Sequence, residues 1–277
     1  MWQALEPIQL LGMAALGLAA GTLGGMLGVG GSVLMIPGLV VLLGRPTGVE
    51  QHLFQAAAMV ANVAVSVPAA LRHRRAGAMT PAALRGMLPA ALGAVVLGVW
   101  LSNRPVFAGA DGGVWLGRCL AVFLVYVAVA NARKLWPRGP SSIPSEAQTR
   151  VSAGRGVAVG GVMGTVAGLL GIGGGAIAVP LQQALMRLEL RRCIANSAAV
   201  IGVSAAVGAV YKNATLAGST GGGFGWRDGL MLGLLLAPTA WAGGRLGASL
   251  THRLPLRAIR AAFVGLMLVA AWRMAAW

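Results

Sequence analysis

The chain has 277 residues, of which 57% are hydrophobic and 10% charged, and Lys plus Arg outnumber Asp plus Glu by 22 to 6. Soluble domains average about 45–50% apolar and about 25% charged residues, so this composition excludes an ordinary water-soluble protein. It excludes a disordered one as well, given the apolar material available for burial. The net charge of +16 sits in short runs between apolar stretches, such as Arg72-His73-Arg74-Arg75 and Arg191-Arg192. That is the pattern of cytoplasmic loops rather than of the continuous basic face that nucleic acid requires.

A membrane span needs about 20 mostly apolar residues. In chain order the candidates are residues 7–44, 51–71, 83–101, 115–135, 156–186, 193–211, 229–250 and 258–277. The runs are continuous rather than alternating, which points to helices and not a β-barrel. The expected fold is therefore an all-α polytopic membrane protein with about 8–10 membrane segments. Met1 to Glu6 lack the basic region of a cleaved signal peptide, so the first apolar stretch is expected to stay in the mature protein. Residues 137–155, rich in Pro and Ser, divide the chain into an N-terminal membrane repeat, 1–136, and a C-terminal one, 156–277. The segment 133–155 carries five basic residues and should be a cytoplasmic linker.

The two halves share a motif. Gly21-Thr22-Leu23-Gly24-Gly25-Met26-Leu27-Gly28-Val29-Gly30-Gly31-Ser32 precedes Pro37, and Gly164-Thr165-Val166-Ala167-Gly168-Leu169-Leu170-Gly171-Ile172-Gly173-Gly174-Gly175 precedes Pro180. At an offset of 143, eight of 17 positions are identical. The basic loops of one half tend to match the poor loops of the other, which favours opposite orientations in the bilayer. Segments 7–44 and 156–186 are awkward lengths for a single helix and are broken by the glycine clusters, so each reads as a hairpin.

A helix break within lipid leaves backbone groups unpaired, and it survives only where protein or a wet cavity satisfies them. A helix restarting after Gly30-Gly31-Ser32, or after Gly173-Gly174-Gly175, offers free N–H groups and a positive dipole end to an anion. Two such breaks related by inversion match the architecture of many secondary transporters. Gly17, Gly21, Gly25, Gly160, Gly164 and Gly168 instead form small-residue ladders suited to close helix packing. Gln55 and Asn196 occupy corresponding positions of the repeat and, with Ser197, are expected to complete the site; Asn62, facing Val203 in the repeat, is less secure. Arg245 should snorkel, while His52 and His73 read as solvated loop-edge residues. Cys119 and Cys193 stand apart without metal or redox spacing and read as buried thiols.

Glu6, Glu50, Asp111, Glu146, Glu189 and Asp228 all fall at segment ends or in loops. A carboxylate proton relay, an acidic cation pathway, a metal site and an intramembrane protease dyad are therefore not expected. Nor is any cofactor or enzymatic activity. An anion carried past backbone amides and neutral side chains remains.

The repeated glycine string with its downstream proline, together with Asn196-Ser197-Ala198 opening the next segment, resembles the sulfite exporter TauE/SafE family across nearly the whole chain. The resemblance implies a multi-pass bacterial inner-membrane transporter for small sulfur-containing anions. Sulfite export by alternating access is the leading expectation; a proton-coupled importer of sulfoacetate or another organic acid is the alternative. A scaffold or accessory subunit, its glycines serving only packing, is the rival of a different class. The expected partners are the small anion and the bilayer, with a homodimer left open.

Overall fold

The computed structural model describes residues 6–43, 48–133, 135, 150–250 and 256–275. Most of the expected linker, Glu146 included, lies outside the described residues; residues 153–155 already form the first turn of a helix. Eleven α-helices and no strand are present among the described residues. They are α1 (Pro7–Leu27), α2 (Ser32–Leu43), α3 (Val49–Arg75), α4 (Pro81–Ser102), α5 (Gly109–Ala132), α6 (Ala153–Leu170), α7 (Gly175–Leu181), α8 (Leu190–Ala214), α9 (Leu216–Ser219), α10 (Trp226–Leu250) and α11 (Leu256–Ala275). A π-helical turn, Gln182–Met186, extends α7. Six helices, α1, α3, α4, α5, α6 and α8, are long and apolar enough to cross a bilayer. Large apolar side chains such as Val122, Val210 and Trp272 stand about 70% exposed, as lipid-facing residues do.

Helix starts follow local chemistry. Pro7 and Pro81 open α1 and α4, where the missing N–H costs nothing. The five described acids all sit at helix N-termini: Glu6 and Glu189 as N-caps, and Glu50, Asp111 and Asp228 in first turns. Negative charge is favoured there by the positive end of the helix dipole. The expectation of acids at segment ends thus acquires a physical cause.

Both expected hairpins form. α1 ends at Gly28 (φ 65°), whose N–H bonds Gly24 O, and α6 ends at Gly171 (φ 75°), whose N–H bonds Ala167 O. Left-handed backbone cannot continue a right-handed helix, so each glycine stops its helix at the same point of the repeated motif. α2 returns along α1, with Gly12 against Leu42 and Gly38 against Leu16. The end of the π turn likewise comes back to the entrance of α6, where Arg150 N–H bonds Met186 O.

The glycine ladders seat helices backbone to backbone. Gly17 and Gly21 meet Ala240, and Gly25 meets Gly244, so α1 lies along α10; Gly160, Gly164 and Gly168 meet Met87, Ala91 and Val95, so α6 lies along α4. At Gly17 a Cβ would collide with the Thr239 hydroxyl, and at each of the other five with backbone, so packing is the role of all six. α3 and α8 run antiparallel through the centre, Gly202 near Ser66 and Gly208 near Met59, and are the most enclosed of the long helices. They also carry most of the buried amides and hydroxyls, groups that lipid would leave unpaired.

Candidate functional site

The two glycine breaks meet. Gly175 abuts the carbonyl of Gly28 and the backbone of Val29, Gly28 packs on Ile194 of α8, and Gly171 packs on Gln55 of α3. Gly30 (φ 86°), Gly173 (φ 73°) and Gly174 (φ 71°) take backbone conformations that side chains disfavour. Pro37 and Pro180 lie within the helices that restart after the breaks.

One carboxamide is wedged between the breaks. Asn62, near the middle of α3, accepts the N–H of Gly31 at 2.9 Å through Oδ1. Its Nδ2 faces Gly173 and has no partner among the described residues. Ser32 Oγ and Gln55 Oε1 are also buried without partners, while Gln55 Nε2 donates to Leu169 O at 3.2 Å. A buried polar atom left unpaired costs about 1–3 kcal/mol. Such atoms in a native fold call for an explanation, an absent ligand or water being the ordinary one. Beside them a narrow crevice lies among Gly25, Gly28, Gly30, Ser66, Ala198 and Ile201, too tight to hold a water molecule.

The structure separates the residues expected to act together. Gly30, Gly31, Ser32, Gly173, Gly174, Gly175 and Gln55 gather at the breaks. Asn196 and Ser197 bind elsewhere. Asn196 accepts the N–H of Thr80 (2.9 Å) and donates to Gln182 Oε1 (3.1 Å), and Gln182 Nε2 donates to Ser197 Oγ (2.9 Å). This network ties α8 to the π turn and to the α3–α4 loop.

Sequence reasoning misplaced the histidines. His52 and His73 lie inside α3 and are buried rather than solvated, because the helix begins at Val49 and runs to Arg75. His52 belongs to a cluster that was not foreseen. Lys212, expected in a loop, lies in the last turn of α8 and is fully buried. Its Nζ donates to Ser102 Oγ (2.9 Å) and Asn103 Oδ1 (2.8 Å) and lies 2.8 Å from His52 Nδ1. His52 Nε2 lies 2.6 Å from the carbonyl of Phe107. A carbonyl only accepts, so Nε2 carries the proton and Nδ1 is left to accept from Lys212. The signal available was the interruption of an apolar run by one lone lysine. Cys193 is buried, but Cys119 is exposed on α5, a correction to its reading as a buried thiol. Arg245 is exposed, its guanidinium 5.2 Å from the centroid of the Trp241 ring.

The chain is 29% identical to "Probable membrane transporter protein MamO" of Magnetospirillum gryphiswaldense, over 96% of this chain and 44% of that protein. It therefore spans less than half the length of that relative. It is 25% identical to "Probable membrane transporter protein YunE" of Bacillus subtilis, over 89% of this chain and 90% of that one. A "Probable membrane transporter protein" of Haemophilus influenzae is also 25% identical, over 93% and 95% of the two chains. No solved structure matches. Six helices are long and apolar enough to cross a bilayer and residues 13–274 match the family model "Sulfite exporter TauE/SafE", so the chain, a multi-pass membrane protein, belongs to the sulfite exporter TauE/SafE family.

Proposed function

We propose that this transporter moves a small sulfur-containing anion, sulfite, out across the inner membrane by alternating access. The halves 1–136 and 156–277 act as inverted repeats that rock about the glycine breaks. The observation that carries the reading is the carboxamide of Asn62 between the two breaks, with Nδ2 unpaired and the Ser32 hydroxyl, also unpaired, at the start of α2. Both groups can donate to an oxyanion. Asn62 takes the central role, and Gln55 lies beside it. Asn196 and Ser197 act at one remove, through the network that fixes α8 against the π turn. Exporting an anion from an inside-negative cell is downhill by about 2.3 kcal/mol per charge per 100 mV, so efflux needs no coupled ion.

Flux into proteoliposomes under an imposed potential tests this, comparing sulfite, sulfate and sulfoacetate with Asn62→Ala alongside. Potential-driven sulfite flux that falls at least tenfold in the variant is the expected result. Sulfite flux indifferent to the potential would overturn electrogenic export, and flux of sulfoacetate alone would overturn the substrate.

A second reading, proton-coupled uptake of sulfoacetate or a related organic acid, draws on the buried contact between His52 and Lys212. Two adjoining basic nitrogens can exchange a proton as the helices around them part. Alkalinisation of the external medium driven by substrate, and lost in His52→Gln, would favour this reading over export.

A further inference from the structure

We propose that the groove between α3 and α10, at the end of the molecule where both helices finish, is a binding site for an anionic phospholipid. The helices run parallel, with Gly233 against Val60 and Gly244 against Val65, so their C-terminal turns lie at the same membrane face. There they enclose a groove of about 460 Å³ whose lining includes Val67, Leu71, Arg72, Arg75, Trp241 and Arg245.

Three features select the ligand. First, three guanidinium groups converge on one groove from two helices, and among the described residues none has a carboxylate partner. Guanidinium forks bind phosphate oxygens in pairs. Second, the floor is apolar and long. Val67 lies eight residues before Arg75, about 12 Å deeper at 1.5 Å per residue. Val67 and Leu71 are exposed, so they offer a rail on which an acyl chain can lie. A free anion has no use for that rail, and this commits the site to a lipid. Third, Trp241 stands at the groove beneath the Arg245 guanidinium, combining an interfacial aromatic ring with a headgroup cation. The basic runs of the sequence place this face on the cytoplasmic side, whose leaflet carries the anionic lipids that such pockets recruit.

A spread of positive charge that only orients the protein would also put arginines at this face. Arg74 supplies the contrast: it belongs to the same basic turn of α3 but does not line the groove.

The test uses the full-length protein, stripped of lipid in detergent. Phosphatidylglycerol, cardiolipin, phosphatidylcholine or inorganic phosphate is then added and read by native mass spectrometry and thermal unfolding. The expected result is retention of the two anionic lipids, with a raised melting temperature, and no comparable effect of phosphatidylcholine. Retention should weaken roughly a hundredfold in the triple Arg72→Gln, Arg75→Gln, Arg245→Gln variant, and not at all in Arg74→Gln. If the triple variant does not fold, single Arg72→Gln and Arg245→Gln variants should each weaken retention about fivefold. Equal retention of phosphatidylcholine, equal losses in Arg74→Gln, or stabilisation by inorganic phosphate alone would each overturn the proposal. None of these readouts depends on which anion the protein transports.

Discussion

Asn62 does two things with one carboxamide: its oxygen holds the Gly31 N–H, and its nitrogen faces Gly173 without a protein partner. The two sides can be separated experimentally. Gly173→Ala adds a methyl at φ 73° that lands on Asn62 Nδ2, whereas Gly77→Ala adds one at φ 67° with nothing within 4 Å. Both variants pay the left-handed penalty of about 1–2 kcal/mol, but only the first crowds the proposed anion site. Gly173→Ala is therefore expected to lower anion flux at least tenfold, with Gly77→Ala close to the parent in the same proteoliposome assay. Equal flux in the two would remove Asn62 from the transport site. The glycine strings, their breaks and the nearness of Gln55 were legible in the sequence. The position of Asn62 between the breaks was not, because the repeat pairs it with Val203. The breaks touch, so one carboxamide reaches both, and no second copy is needed.

At the scale of helices, apolar run length marked out the membrane segments well, and the ladders Gly17-Gly21-Gly25 and Gly160-Gly164-Gly168 announced their packing. Charge misled where it was read as a helix boundary. The run 193–211 ends at Lys212, yet α8 continues to Ala214, because Ser102, Asn103 and His52 supply three polar neighbours that let a lysine stay buried. Lys212 also lies in the last turn of α8 and beside the end of α4, where helix dipoles favour a basic side chain. The cluster joins α3, α4 and α8, and through the Phe107 carbonyl it reaches the α4–α5 connection. Lys212→Met should destabilise the protein by about 1–3 kcal/mol, since His52 Nδ1, Ser102 Oγ and Asn103 Oδ1 lose their donor. Lys212→Met combined with His52→Leu should cost less than the sum of the two single changes, because a pair removed together leaves fewer orphaned groups than either removed alone. Thermal unfolding in detergent measures the cycle. Strict additivity would mean that the two side chains do not act as a unit.

Across the whole molecule, the chain order and the packing order differ. α1 comes from the first half but lies along α10, and α6 comes from the second but lies along α4. α3 and α8 cross at the centre, and α5 packs on α11. Each half thus leaves its first helix without a glycine-matched partner until the other half arrives. The repeated string was legible in the sequence, but this exchange was not, because motif identity carries no information about which helix a ladder will meet. The arrangement has a direct consequence for a chain cut in the expected linker. Residues 1–136 expressed alone would expose the face of α1 that carries Gly17, Gly21 and Gly25, and should fail to yield monodisperse protein. Residues 150–277 alone would do the same with Gly160, Gly164 and Gly168. Expressed together, the two fragments should co-purify and recover most of the flux of the intact chain, since the glycine-ladder contacts run between the halves. Fragments that fold separately and do not associate would show that the halves are independent bodies, and the proposed rocking of one against the other would then need a different interface from the one built by these ladders.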